Sequence, residues 1–237
     1  MRADVERLVK NAAGEADDLI LGVADLRGLL HEKFKGYGYG ILVGKRLEDP
    51  AVDSILEGGR PGPTASYKTA YNNTNGALSG LVNRIARTLV SSGIDALAVE
   101  PTVSDESIDG ELARTLRAEL SHKMVATRAG LGWIGKTGLF VSERCGPRVR
   151  LATVLTTSPA GTPASPIDES RCGSCSLCVR WCPAGAATGK PWSVGVDRDE
   201  FFDPFRCRKT CLALSAERLG KRPVSYTHLT LPTIYSV

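Results

Sequence analysis

The chain has 237 residues, 42% hydrophobic and 24% charged, with a formal net charge of +4. That length supports one sizeable core and a small second unit, and interspersed charge of this size does not by itself predict nucleic-acid binding. Met1 to Gly14 has no apolar leader core and no run approaches the length of a membrane span, so no membrane partner and a cytoplasmic location are expected.

In chain order, ADVERLVKNAA predicts a helix, and DLILGVADL a strand in which Ile20 alternates with Gly22. A short helix is expected from Leu26 to Lys35. In GYGYGILVGKRL, Ile41 to Val43 form a β core between glycines that permit close backbone approach. PTASYKTAYNNTNGALSGLVNRIARTLVSSG carries Leu78, Leu81, Val82, Ile85 and Leu89 on one helical face and ends at Gly93; IDALAVEP is its companion strand. ELARTLRAELSHKMVATRAG puts Leu112, Leu116 and Leu120 on one stripe, predicting a single helix that ends near Gly130. GLFVSE and VRLATVLTT read as strands, and the alternation of helix and strand predicts an α/β (α+β) domain. SPAGTPASPIDES is the linker to a cysteine-rich segment. The expected organisation is an α/β domain over 1–158, a thiol-rich domain over 159–223, and a non-native tail over 224–237. The tail, VSYTHLTLPTIYSV, is Thr-rich and uncharged with no structural period, and the natural chain is expected to continue past Pro223.

Arg171 to Gly185 reads RCGSCSLCVRWCPAG, placing Cys172, Cys175, Cys178 and Cys182 in the spacing C-x2-C-x2-C-x3-C-P. Bacterial ferredoxins hold [4Fe-4S] clusters with this run, and in two-cluster proteins its fourth cysteine serves the other cluster. Cys172, Cys175 and Cys178 are therefore assigned to one cluster and Cys182 to a second, with Cys207 and Cys211 as further ligands. These thiols are too few to complete two cubanes. Zinc on Cys172, Cys175, Cys207 and Cys211 would leave Cys178 and Cys182 unexplained, and disulfides would require an oxidising compartment. Cys145, alone, reads as a semi-buried thiol. Arg171, Arg180, Arg206, Arg208, Lys209, Lys221 and Arg222 thicken the positive charge here; they read as a solvated face, with docking of an acidic electron donor or RNA as the alternative.

The second informative stretch is SHKMVATRAGLGWIGKTGLF. Gly130, Gly132, Gly135 and Gly138 punctuate a loop whose order fits neither a Walker nor a dinucleotide fingerprint, and they admit something flat or bulky close to the backbone.

AGLGWIGKTGLF, GPRVRLATVLTT and CGSCSLCVRWCPAGA, with GKRLEDPAVDSI and PTASYKTAYNNTNGAL upstream, resemble the epoxyqueuosine reductase family and its shorter relatives with a double [4Fe-4S] domain. The resemblance reaches to about Arg222. It implies a cobalamin-binding, nitroreductase-like domain followed by a ferredoxin-like iron-sulfur domain. Gly130, Leu131, Gly132, Trp133, Ile134, Gly135 and Lys136 would then lie near the corrinoid. The family reduces the epoxide of a modified tRNA nucleoside with the help of an aspartate, and a gap-free count puts Leu116 at that position. Glu119 is the nearest acid, and the resemblance to the shorter relatives extends to the SHK, so His122 and Lys123 become the catalytic candidates, His122 as proton donor.

These residues are compatible with two functions. One is a cobalamin-dependent iron-sulfur reductase that takes electrons from a reduced ferredoxin or flavodoxin-type donor and acts on a small-molecule or nucleoside substrate, with tRNA as a further partner. The other is an electron-transfer or accessory protein without its own catalysis. His31 reads as structural or exposed. Tyr67, Tyr71, Asn72 and Asn75 share a helical face that serves equally for a pocket or for packing.

Overall fold

The computed structural model describes residues 2–14, 17–59, 62–102 and 108–220, so the expected non-native tail lies outside the described residues. In chain order these form α1 (Arg2–Ala13), β1 (Leu19–Asp25), β2 (Tyr39–Arg46), α2 (Asp49–Asp53), α3 (Ala65–Ser91), β3 (Ala96–Val99), α4 (Gly110–Thr115) and α5 (His122–Arg128). Then come β4 (Gly132–Ile134), β5 (Phe140–Ser142), β6 (Val149–Thr156), α6 (Leu177–Arg180), α7 (Arg198–Phe201) and α8 (Pro204–Leu219).

The mixed α/β class is as expected. Four strands pair antiparallel in the order β1-β2-β6-β3, and β2 is held on both sides, with Val43 opposite Leu21 in β1 and Ala152 in β6. Alternation along β2 sends consecutive side chains to opposite faces. Ile41 and Val43 pack with Val5 and Val9 of α1 and Leu78, Val82, Ile85 and Leu89 of α3. Leu42 goes the other way, to Leu26, Met124, Val125 and Ala126. Both faces of the sheet are therefore covered by helices. The long helix α3 starts where the Thr64 hydroxyl accepts from the Tyr67 N–H at 3.1 Å, and its end is turned by Gly93 at φ +79.

The α5 face depends on missing side chains. A Cβ on Gly40 would lie 2.7 Å from Leu26 Cδ1 and 3.0 Å from Val125 Cγ1, and one on Gly22 would lie 2.8 Å from Leu131 Cδ1. These strand glycines let α5 and the loop after it settle close to the sheet.

The structure corrects the expected helices in two places. Of the helix expected over Leu26–Lys35, only a 3-10 turn at Glu32–Phe34 forms, its first turn closed by His31 Nδ1 accepting from the Lys33 N–H. The single helix expected from Glu111 to Gly130 is broken into α4 and α5. Leu116 adopts a left-handed conformation (φ 51), and Ser121 restarts the helix by accepting from the Met124 N–H. Leu116 and Leu120 are buried as the stripe requires, but the backbone between them leaves the helix because Arg198 Nη1 donates to the Leu116 carbonyl at 3.1 Å.

The C-terminal segment builds its own small core from Ala184, Ala186, Trp192, Phe201, Phe202 and Cys207, joined by Ile134 from β4. Asp197 and Glu200 form a capping box on α7, and Asp203 with Pro204 starts α8.

Two glycine substitutions should move stability in opposite directions. Gly40→Val should lower it by about 1–3 kcal/mol through overpacking. Gly76→Ala, at an exposed α3 position with open space around it, should raise it by about 0.5–1 kcal/mol. Urea denaturation of the two variants checks both.

Candidate functional site

The glycine loop is a β-hairpin, β4 pairing with β5, docked against the thiol-rich segment. What its glycines admit is the chain itself. A Cβ on Gly132 would lie 2.1 Å from the Val141 carbonyl oxygen of the facing strand, and one on Gly130, which has φ +67, would lie 2.7 Å from the Ser165 carbonyl oxygen of the linker. At Gly135 the added atom would meet Val141 Cγ2 at 3.2 Å and Cys172 Sγ at 3.7 Å.

From this hairpin Lys136, 7% exposed, reaches across and donates from Nζ to the carbonyl oxygens of Gly173 (2.8 Å) and Cys175 (2.9 Å). The first thiol loop is thereby fastened to the body. Desolvation pushes the Cys172 thiol up, but Ser170, the Trp133 indole, the Lys136 backbone N–H and the Lys136 charge together outweigh it and bring the pKa down. Trp133 Nε1 and Ser170 Oγ are buried without an oxygen or nitrogen partner. Both are donors set against a sulfur that becomes a strong acceptor once ionised. Arg171 pairs with Glu143, and Arg128 with Asp168, flanking the same junction.

The remaining thiols gather elsewhere. Cys182 and Cys211 pack against the small core that contains Cys207, and the Cys207 and Cys211 sulfurs stand 4.0 Å apart. The hydrogen bond to Cys211 pushes the Cys207 thiol up, with burial adding to it, and holds Cys211 down. All seven cysteines are free thiols, and Cys175 and Cys178 are exposed. Among the described residues no three His, Cys, Asp or Glu side chains converge on a single ion position. The donor set nevertheless suits iron-sulfur ligation by its chemistry: six thiols stand free in the C-terminal segment, Cys172 beside the Trp133 and Ser170 donors and Cys207 next to Cys211, with none spent on a disulfide.

Lys123 is fully buried, and its Nζ donates to the Gly138 carbonyl at 2.7 Å. Burial first, and the nearby Arg198 charge second, hold its pKa well below the ordinary lysine value, while Cys207 pulls it back up. His122 is buried too. Its Nε2–H donates to the Glu100 carbonyl at 2.8 Å, so Nδ1 is the acceptor of the Thr153 hydroxyl, also at 2.8 Å. Desolvation is the main force lowering its pKa to about 4, and the Arg150 charge contributes; the contacts to Glu100 oppose. At neutral pH this imidazole is uncharged, which differs from the protonated acid expected of it, because burial penalises the charged form.

His122 lies on the wall of a cavity of about 660 Å³, together with Phe34, Glu100, Leu116, Glu119 and Arg150. The break between α4 and α5 supplies one side, and the ends of β3 and β6 another. Glu119 is ion-paired with Lys33 at 2.6 Å. Arg150 stacks over Tyr71 at 4.3 Å, donates to Asn75 Oδ1 at 3.0 Å and to the Pro101 carbonyl at 3.1 Å. The helical face of Tyr71 and Asn75 thus positions Arg150, whereas Asn72 is exposed. None of residues 130–136 is on this wall. Arg150, Thr153, Arg117 and Arg198 escaped the sequence reading; the signal was an arginine and a threonine inside the apolar strand β6.

The fold and site define a mixed α/β body with a docked segment that carries six of the seven thiols. No family model matches the chain. Over 74 residues, 30% of this chain and 18% of the relative, it is 43% identical to epoxyqueuosine reductase from Listeria monocytogenes. Among solved structures, epoxyqueuosine reductase from Streptococcus thermophilus matches 100% of this chain and 63% of its own, with a TM-score of 0.51 and 15% identity. A reductive dehalogenase whose structure suggests a mechanism for B12-dependent dehalogenation matches 79% of this chain and 26% of its own, with a TM-score of 0.55 and 15% identity. At such identities the structural likeness is one of fold. The chain spans less than two thirds of the length of each of these proteins. The matches support an epoxyqueuosine reductase-like family for this chain. Among the described residues no helix is long and apolar enough to cross a membrane.

Two consequences of this geometry are open to measurement. Gly132→Val should destabilise the protein by about 3 kcal/mol by forcing the hairpin apart, seen as an earlier urea midpoint. Unfolded His122 takes up a proton near pH 6.5 that folded His122 refuses until about pH 4. The stabilisation due to His122 is therefore complete above pH 6.5 and lost as pH falls toward 4, a change of about 3 kcal/mol. Urea melts of wild type and His122→Gln across that window should show this part of the slope in wild type alone.

Proposed function

We propose that this chain is an iron-sulfur reductase of the epoxyqueuosine reductase type. In this reading Cys172, Cys175 and Cys178 hold one [4Fe-4S] cluster, and Cys182, Cys207 and Cys211 contribute to a second. The single observation that carries it is that the spaced thiols are all free, with Lys136 clamping the loop of Cys172 and Cys175 and the Cys207 and Cys211 sulfurs 4.0 Å apart.

The cavity beside His122 is the place for the electron acceptor. The resemblance implies a corrinoid near loop 130–136; the chain's own atoms occupy the positions that side chains on Gly130, Gly132 and Gly135 would take, so packing alone accounts for those three glycines. No step is therefore assigned to the corrinoid there. Reductive removal of an epoxide oxygen consumes two electrons and two protons and releases water, so the site must supply protons as well as electrons. In the proposed site the neutral His122 orients the wall by donating to Glu100, and Glu119 is the cavity carboxyl nearest in sequence to His122. Lys123, sealed from the cavity wall, acts on the thiol side. A small epoxide or a nucleoside is the substrate class, and a reduced ferredoxin or flavodoxin-type protein is the donor. A modified tRNA enters as substrate only by analogy with the relatives' name.

Leucine at position 116, where the resemblance places an aspartate, favours the second reading, an electron carrier that serves another enzyme. One preparation separates the possibilities. Anaerobically purified protein should contain iron and acid-labile sulfide in equal amounts, and Cys178→Ser should lower both, while Cys145→Ser keeps them. Zinc in place of iron would overturn the iron-sulfur reading. Iron-loaded protein that takes up dithionite electrons but reduces no epoxide would favour the carrier.

A further inference from the structure

Arg150 reaches the cavity wall from β6, a strand that otherwise runs through the apolar core, and neutral groups alone hold it there. Its guanidinium lies over the Tyr71 ring at 4.3 Å, its Nε donates to Asn75 Oδ1 at 3.0 Å, and its Nη2 donates to the Pro101 carbonyl at 3.1 Å. A guanidinium has five N–H donors, so both of those on Nη1 and one on Nη2 are without a partner among the described residues.

Most other charges on the wall have partners. Lys33 pairs with Glu119 at 2.6 Å, and Arg117 with Asp197 at 3.1 Å and Asp199 at 3.6 Å. Glu111 pairs with Arg114, and Glu100 Oε1 accepts from the Asn83 amide at 2.9 Å. Among the described residues no carboxylate pairs with Arg150. His122 has both ring nitrogens engaged, with Glu100 and Thr153, so it has no donor left to give. Three contacts thus fix the Arg150 fork while leaving its charge uncompensated, which preorganises it for an anion.

The charge occupies only one end of the volume. Phe34, Leu112, Leu116 and Leu120 line the same cavity of about 660 Å³, a size that takes a small organic molecule. An inorganic ion would leave that apolar surface unused. A molecule with an apolar body and an oxyanion at one end would meet both parts of the wall.

We propose that the cavity binds a small organic anion, its carboxylate or phosphate taken by the Nη1 and Nη2 donors of Arg150 and its apolar body lying against Phe34, Leu116 and Leu120. This deepens the reductase reading above, and rests on it only in calling the ligand a substrate. Arg150 is then the residue that selects charged over neutral substrates.

The test is calorimetric titration of the full-length, anaerobically purified chain with two matched pairs, benzoate against benzamide and adenosine 5′-monophosphate against adenosine, at constant ionic strength. In at least one pair the anion should bind about tenfold or more tighter than its neutral partner, and the pair that shows this tells carboxylate from phosphate. Arg150→Met should erase the preference, while Arg150→Lys, which keeps the charge without the fork, should retain part of it. The imidazole resonances of His122, assigned through His122→Gln, give a readout that needs no change at position 150: they should shift on saturation with the favoured anion. Equal binding within both pairs, no binding of any of the four at millimolar concentration, or a preference that survives in folded Arg150→Met would overturn the proposal. So would His122 resonances that stay still at saturation. Protein that binds the anion through Arg150 but carries no iron would overturn the reductase reading and leave the anion site standing.

Discussion

The contact on which the site depends is the reach of Lys136 from the β4–β5 hairpin to the carbonyls of Gly173 and Cys175. An ammonium has three donors and no acceptor, so it can fasten a loop by its carbonyls and leave the neighbouring sulfurs free to bind something else. That reach requires a hairpin lying flat against the linker, which requires Gly130 and Gly132, where any side chain would strike backbone oxygen. Gly130 is thus explained by the linker and Gly132 by the second strand of the hairpin, and the first thiol loop is fastened by the lysine.

The same segment shapes the cavity. Arg198, from the α7 turn, holds the Leu116 carbonyl, and Arg117 pairs with Asp197 at 3.1 Å. Between them they draw the chain out of a helix that its leucine pattern would otherwise continue, and the opened stretch becomes a wall beside His122. Two distant parts of the chain thereby meet over one volume. Burial has a consequence there: it makes His122 neutral, and so turns a candidate acid into a hydrogen-bonding strut between Thr153 and Glu100. Each buried nitrogen group there meets polar partners: Gly138 for Lys123, the Leu116 carbonyl and Asp199 for Arg198, and Glu100 with Thr153 for His122.

Much of the fold could be read from periodicity. The α3 stripe from Leu78 to Leu89, the β core at Ile41 to Val43 and the long strand β6 all stand where alternation or helical spacing placed them. The α4–α5 break was invisible because it comes from Arg198, 82 residues away from Leu116, overriding a local preference. The hairpin was hidden for a different reason: four glycines in nine residues mark close approach but not what approaches. The cysteine spacing points to the iron-sulfur chemistry proposed above, since few centres need that many soft ligands so close together. Arg150 was not legible, because nothing local distinguishes an arginine that stacks on Tyr71 at the cavity edge from one on a solvated strand.

The central claim is that the two thiol groups carry iron-sulfur clusters that can be reduced. Electron paramagnetic resonance of the anaerobic protein, before and after dithionite, tests it most directly. The account predicts silence in the oxidised protein and a signal from a one-electron-reduced [4Fe-4S] centre after reduction, weakened by Cys178→Ser. A protein that stays silent after reduction, with zinc on its cysteines, would contradict it.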